Sequence, residues 1–233
     1  MWISPGTWRN QSPSSKSTVN LPLRGMKKAV VALFITVVFG AGLWLGMVKQ
    51  RGDQLELLMQ DRVVTVLKDP RQLKPFHLLD FNGKPFDLPQ LKDKWSLVFF
   101  GYTNCPDICP TTLTTLNRLY NELGKKPGTL DDVQFVFVSV DPKRDQGAKL
   151  KSYVQYFNKD FIGVTGDARE IANLAAQVGA SYEVLDRAGE QNYPVNHTAA
   201  IFIVNKQGQF LGLMSPPLDP VAMASRIELI KQL

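Results

Sequence analysis

No aspartate or glutamate occurs before Asp53, although seven lysines and arginines do. The chain's net charge of +6 therefore gathers at one end. Setting those seven aside leaves twenty of the 27 basic residues against all 21 acidic ones over residues 52–233, a net of −1. A near-neutral body offers no basic stripe for phosphates, which excludes nucleic acid as a partner. Cysteine and histidine are equally scarce, at two each. Two cysteines build no disulfide framework. With three nominable soft ligands there is no four-ligand structural zinc site either. Internal repeats are absent. No A-x-A-like triplet follows the hydrophobic run near the N-terminus, which argues against a cleaved secretory leader.

That run is the first positive feature. Ala29 to Val48 is a stretch of twenty residues without a charge, fenced by Lys27, Lys28, Lys49 and Arg51. As a helix it spans about 30 Å, the thickness of a bilayer core. Arg9, Lys16, Arg24, Lys27 and Lys28 precede it, and Asp53 and Glu56 follow it. The positive-inside rule then puts residues 1–28 in the cytoplasm or its equivalent, and everything after Val48 across the membrane. The expected protein is single-pass in an inner membrane, with its domain in the periplasm or the mitochondrial intermembrane space. Residues 1–25 are rich in Ser and Pro, and Met26-Lys27-Lys28-Ala29 reads like a start of its own.

The expected division is a basic tail over 1–28, an anchor over 29–48, a linker over 49–69 and one domain over 70–233. Asn82-Gly83 between short apolar segments signals a hairpin. Ser96–Tyr102 and Val133–Val140 are continuous apolar runs of buried-strand length. Leu113, Leu116, Tyr120 and Leu123 recur at helical spacing up to Gly124. Gln146–Asn158 reads as a helix and Phe161–Val164 as a short strand. Asp167-Ala-Arg-Glu170 is a capping box opening a helix that stops at Gly179. Ala199–Val204 and Phe210–Met214 are strands joined by a tight turn, and Asp219-Pro220 caps a last helix. Strands alternating with helices predict an α/β class, with antiparallel pairing at the end.

Both cysteines fall in Gly101-Tyr-Thr-Asn-Cys105-Pro-Asp-Ile-Cys109-Pro110, just beyond the first strong strand, where sites form in α/β sheets. Positions i and i+4 on a helical turn lie about 6 Å apart, close enough for a disulfide or for two thiolates on one metal ion. Two buried small hydrophobes, or one structural disulfide, are equally compatible with the spacing. A helix N-terminus is expected to lower a thiol pKa, favouring the thiolate. His77, in the first hairpin, reads as surface or packing. His197, in Pro194-Val-Asn-His-Thr198, reads from sequence alone as structural. Taken with the two cysteines it would make a Cys2His set, which suits copper or a catalytic metal with an open position.

Three segments in order then carry a resemblance: Phe100-Gly-Tyr-Thr-Asn-Cys-Pro-Asp-Ile-Cys-Pro110, Val138-Ser-Val-Asp-Pro-Lys-Arg-Asp145, and Asn196-His-Thr198 before an apolar strand. From about Lys74 to the C-terminus the chain resembles the Sco/SenC family. The resemblance implies a thioredoxin-like domain behind a single N-terminal transmembrane helix. It implies copper, Cu(I) or Cu(II), bound by Cys105, Cys109 and His197. It implies a role in maturing the binuclear copper centre of cytochrome c oxidase, with the copper-bearing oxidase subunit as partner. Asp107 and Asp141 match positions near the metal and are expected to orient the ligands. Asn196 departs from the family, which often has Asp there. Asn196-His-Thr198 is also formally a glycosylation acceptor, read as chance.

Two functions share these residues. A metallochaperone needs His197 for Cu(II). A thiol–disulfide oxidoreductase that reduces oxidase cysteines does not need it, and would draw on a thioredoxin-like reductant as a further partner. The spacing here is CxxxC, unlike the CxxC of thioredoxin-like reductases. A third reading, a peroxidase, follows from Cys109-Pro-Thr-Thr112 opening a helix, but no partner that would activate the thiolate is evident.

Overall fold

The computed structural model describes residues 23–59, 61, 63–185 and 193–232. The chain forms two units, residues 1–48 and 49–233. The first described element is helix α1, Leu23–Met59. It contains the whole of the expected anchor over 29–48. Most of the tail expected over 1–28 lies outside the described residues. From Leu33 to Val48 every side chain is exposed, including Leu33, Phe34, Phe39 and Trp44 at 65–69% or so of their full accessibility. Leu33–Gln50 is long and apolar enough to cross a membrane, and none of it is buried among the described residues. A helix that is apolar all round and uncovered has no stable place in water.

The second unit is built on an eight-stranded sheet. In chain order its elements are β1 (Thr65–Gln72), β2 (His77–Asp80), β3 (Pro85–Asp87), β4 (Trp95–Gly101), α2 (Ile108–Gly124), β5 (Val133–Ser139), α3 (Gly147–Phe157), β6 (Ile162–Thr165), α4 (Ala168–Val178), β7 (Tyr182–Val184), β8 (Val195–His197), β9 (Ile201–Val204), β10 (Gln209–Met214) and α5 (Pro220–Ile230). The large sheet runs β1-β10-β9-β4-β5-β6-β2-β3, and β7 and β8 form a separate two-stranded ribbon. β4, β5 and β6 are parallel to one another, each joined to the next through a helix. β9 and β10 return antiparallel. The domain boundary expected at residue 70 falls inside β1, and the segment read as a linker holds the end of α1 and the start of that strand.

The reason for the parallel centre lies in the sequence. β4 and β5 are buried on both faces from their second residue onward, so neither shows alternation. Phe99, Phe100, Phe135, Phe137, Phe161 and Phe202 are fully buried around them. Each such side chain contributes roughly 2–3 kcal/mol of burial free energy. α2 lays Cys109, Leu113, Leu116, Leu119 and Leu123 against this core. Cys109 thus belongs to the apolar stripe as well as to the helix start. Gly179 ends α4 in the left-handed region, with φ 77°, where a side chain would be strained.

One expectation is met only in part, one is met, and one element was not expected. The capping box at Asp167 is half formed: Asp167 accepts the Arg169 N–H, but Glu170 accepts the His77 backbone N–H at 2.9 Å instead of folding back. The side chain of His77 is exposed and pairs with Asp87 at 3.3 Å. The β7–β8 ribbon was not foreseen, because two three-residue strands carry too little periodicity to register.

Candidate metal centre

β4 and β5 end side by side, with Gly101 opposite Ser139, so the loops that follow leave the sheet together. The first loop runs from Tyr102 to Asp107 and carries Cys105, whose N–H donates to the Tyr102 carbonyl at 3.3 Å. α2 then begins, and Cys109 lies in its first turn, fully buried. The Cys109 N–H, unpaired within its own helix, points at Cys105 Sγ at 3.3 Å. A free helix N-terminal amide thus aims at the more exposed sulfur.

His197 arrives from the other side, on β8. Its Nε2 lies 3.2 Å from Cys109 Sγ. Its Nδ1 faces the Thr198 carbonyl at 3.3 Å, the geometry of a donor, which leaves Nε2 the lone pair directed at the sulfur. Phe99 and Tyr102 hold the ring edge-on, at 5.8 and 6.1 Å between centroids. Burial lowers the His197 pKa, against a smaller upward pull from the Thr198 carbonyl, so the imidazole stays neutral and can ligate. One donor atom from each of Cys105, Cys109 and His197 fits within 4.8 Å of the other two.

The expected lowering of thiol pKa by the helix N-terminus does not hold at Cys109. Burial pushes this thiol well up, the hydrogen bond from the Tyr102 backbone pulls the other way, and Cys105 and Asp145 add to the rise. Cys109 is therefore held as a thiol, and a metal ion bound there would have to displace its proton. Packing is tight as well. A Cβ at residue 101 would sit 2.7 Å from Cys109 Sγ and 2.8 Å from the Phe137 ring, so Gly101 makes room for the sulfur.

Asp107 occupies the N-cap position of α2, with no side-chain cap bond. Its carboxylate takes the Thr111 hydroxyl at 3.4 Å, and it lines an open cleft with Cys105, Ile108 and His197. Asp141 is buried and bonded to Tyr193 and Arg144 rather than to any of the three soft ligands. The sequence reading passed over Asp145, although it quoted the segment that ends there. This carboxylate is fully buried and accepts from Thr103 N at 2.7 Å, Thr103 Oγ1 at 2.5 Å and Ser139 Oγ at 2.7 Å. The signal was available in Asp141 and Asp145 at a four-residue spacing within an otherwise apolar-to-loop transition. Tyr193 and Thr103 had no such signal.

The donor set is suited to copper. Two thiolates satisfy Cu(I), and a neutral imidazole beside them extends the site to Cu(II).

Comparison with known proteins agrees with this geometry. The sequence model described as SCO1/SenC matches residues 65–232. The human mitochondrial protein SCO2 homolog is 37% identical over 182 residues, which cover 76% of this chain and 66% of that one. ScoI of Bradyrhizobium japonicum, solved with copper bound, is 34% identical, with a TM-score of 0.61 over 70% of this chain and 99% of that one. Yeast Sco1, also solved with copper bound, is 32% identical, with a TM-score of 0.64 over 70% and 91%. With these likenesses goes the thioredoxin-like α/β fold, and the chain belongs to the SCO1/SenC family.

Proposed function

We propose that this protein is a membrane-anchored metallochaperone that carries copper as cargo for the binuclear centre of cytochrome c oxidase. Cys105 Sγ, Cys109 Sγ and His197 Nε2 would hold the ion. The observation that carries this reading is the convergence of those three atoms within 4.8 Å, the one such group among the described residues. ScoI and yeast Sco1 with copper bound are relatives with the same fold, which supports the assignment. The target, the copper-bearing oxidase subunit, rests on the resemblance of the three motifs.

Each residue has a separate task. Cys109 gives up its proton to the solvent as copper enters and becomes a buried thiolate neutralised by the ion. Cys105, half-exposed, is where a partner's ligand gains access. His197 supplies nitrogen for Cu(II). Asp107 stands at the rim of the cleft, and Asp141 stiffens the backbone behind it. α1 fixes the domain to the membrane, with residues 1–28 on the cytoplasmic or equivalent side and the domain in the periplasm or intermembrane space.

The test uses the full-length chain in detergent. One copper per chain is expected for the reduced protein, and a Cys105→Ala/Cys109→Ala double variant that keeps one equivalent after dialysis overturns the site. In cells, His197→Ala should lower the copper content of the oxidase.

The adjacency of two free cysteines also supports a second reading. A thiol–disulfide oxidoreductase would pass two electrons and two protons from Cys105 and Cys109 to an oxidised cysteine pair, leaving a disulfide here for a thioredoxin-like reductant to reopen. Fully copper-loaded oxidase in cells whose sole copy is the His197→Ala protein would favour that reading.

A further inference from the structure

The strand that bears His197 is not part of the large sheet. Among the described strands β8 pairs with β7 alone, and the next bonds along it, Leu185 N–H to the Pro194 carbonyl and Thr198 N–H to the Ser181 carbonyl, stay inside the same ribbon, while the Val195 backbone also bonds the Tyr102 hydroxyl. A two-stranded ribbon of three residues a side is marginal by itself. Something else must place His197 to within a few tenths of an ångström of a metal-binding position.

Phe99 and Tyr102 flank the ring itself, and the polar contacts that hold the strand's approach converge on Tyr193, four residues before His197. The Tyr193 hydroxyl donates to Asp141 Oδ1 at 2.8 Å. Arg144 Nε donates to the other oxygen of Asp141, and Arg144 Nη2 donates to the Tyr193 carbonyl at 3.1 Å. The guanidinium carbon stands 3.6 Å over the Tyr193 ring and 5.7 Å over the Tyr102 ring, whose other neighbour is the His197 ring. Asp141 is 2% exposed and Arg144 is 13% exposed, so water competes weakly for these bonds. The same short loop also reaches the other half of the site. Asp145, four residues on from Asp141, takes the backbone N–H and the hydroxyl of Thr103, two residues before Cys105.

We propose that Asp141, Arg144 and Tyr193 form a latch that positions His197, and that the 141–145 loop, gripping Tyr193 at one end and Thr103 at the other, sets the spacing between the histidine and the cysteines. These are positioning residues, which touch no metal-binding atom. The latch rests on the copper reading only for its consequence; its mechanical part stands without it. Cu(I) needs the two thiolates, which the latch does not carry. Cu(II) needs the nitrogen, which it does. Loosening the latch should therefore separate the two oxidation states.

The experiment compares full-length wild type with Tyr193→Phe, which deletes one hydroxyl and keeps the ring under Arg144, and with Arg144→Lys and Arg144→Met. In the metal-free protein, amide exchange at Leu185 and Val195–Thr198 should quicken about tenfold in Tyr193→Phe, as expected for one hydrogen bond to a buried charge. Cu(II) affinity should fall by a similar factor of about ten and the thiolate-to-Cu(II) absorption band should shift, with Cu(I) affinity changed by less than about twofold. Arg144→Lys keeps the charge without the fork and should lie between wild type and Arg144→Met. Unchanged ribbon exchange in Tyr193→Phe overturns the latch, whatever the protein binds. Parallel losses of Cu(I) and Cu(II) affinity that track the melting temperature overturn it as well, since they mark general destabilisation. Should the wild type bind no copper, the function proposed above fails while the exchange data still decide the latch.

Discussion

Two polar clusters sit at the carboxyl end of the parallel strands, a few residues apart, and they handle their polar atoms in opposite ways. Around Asp141 and Asp145 the carboxylate oxygens are occupied: Arg144, Tyr193, Thr103, Ser139 and Lys149 supply donors, and burial is nearly complete. Around Cys105 and Cys109 the sulfurs meet backbone amides and one imidazole but no cation from the chain, and the buried thiol is driven away from the charged form. The acidic cluster is closed and serves the fold. The sulfur cluster is left short of positive charge, which a bound cation would supply. Substitutions around Asp145 should therefore register as stability and those at the sulfurs as Cu(I) binding, while the Asp141–Tyr193 latch reaches binding only through His197 and Cu(II).

The strongest test of that division is at the sulfurs. Cys105→Ser and Cys109→Ser should each weaken Cu(I) affinity at least about 1,000-fold, or roughly 4 kcal/mol, as measured by competition with a Cu(I) chelator. Their melting temperatures should move little. Equal losses of folding stability would erase the contrast. Asp145→Ala should do the converse. Removing a buried carboxylate strands Thr103 and Ser139, at about 3–5 kcal/mol, read as a drop in unfolding free energy.

Gly101→Ala tests the border between the clusters. The added methyl meets the Cys109 sulfur and the Phe137 ring, so about 1–3 kcal/mol of overpacking strain should appear, together with weaker copper binding because the sulfur must shift. Thr103→Val keeps the shape and removes one hydroxyl from Asp145, at about 1 kcal/mol. Asp107→Asn comes last. Its carboxylate has one long contact and caps nothing, so unfolding free energy should stay within about 0.5 kcal/mol of wild type, as determined by denaturant titration.

Much of this was legible in the residues. The buried runs of β4 and β5, the helical stripe of α2 and the Asp219 cap appear at the expected places because each is a local pattern that burial reinforces. The nearness of Cys105 and Cys109 was expected from a helical turn, but Cys105 lies in the loop before α2, and the Cys109 N–H that points at Cys105 Sγ brings the pair together. What sequence could not supply was long-range. His197 reaches Cys109 from 88 residues away, and from the residues alone it looked structural. Only the resemblance nominated it. Tyr193 reaches Asp141 across 52 residues, and no periodicity connects them. The thiol pKa of Cys109 was misjudged for a similar reason. The helix start is visible in sequence, but the depth at which the core buries that turn is not.

The unequal exposure of the two sulfurs has a kinetic consequence. If they join as a disulfide, an incoming thiolate can approach Cys105, which is half-exposed, but not Cys109, which is sealed in the core. Attack on Cys105 forms the mixed disulfide there and expels Cys109 as the leaving group, which then takes up a proton. A sulfur whose thiolate is disfavoured by burial leaves slowly. The bond would open in one direction, at one atom, and against resistance, so an oxidised chain persists until a reductant shaped to that single face arrives.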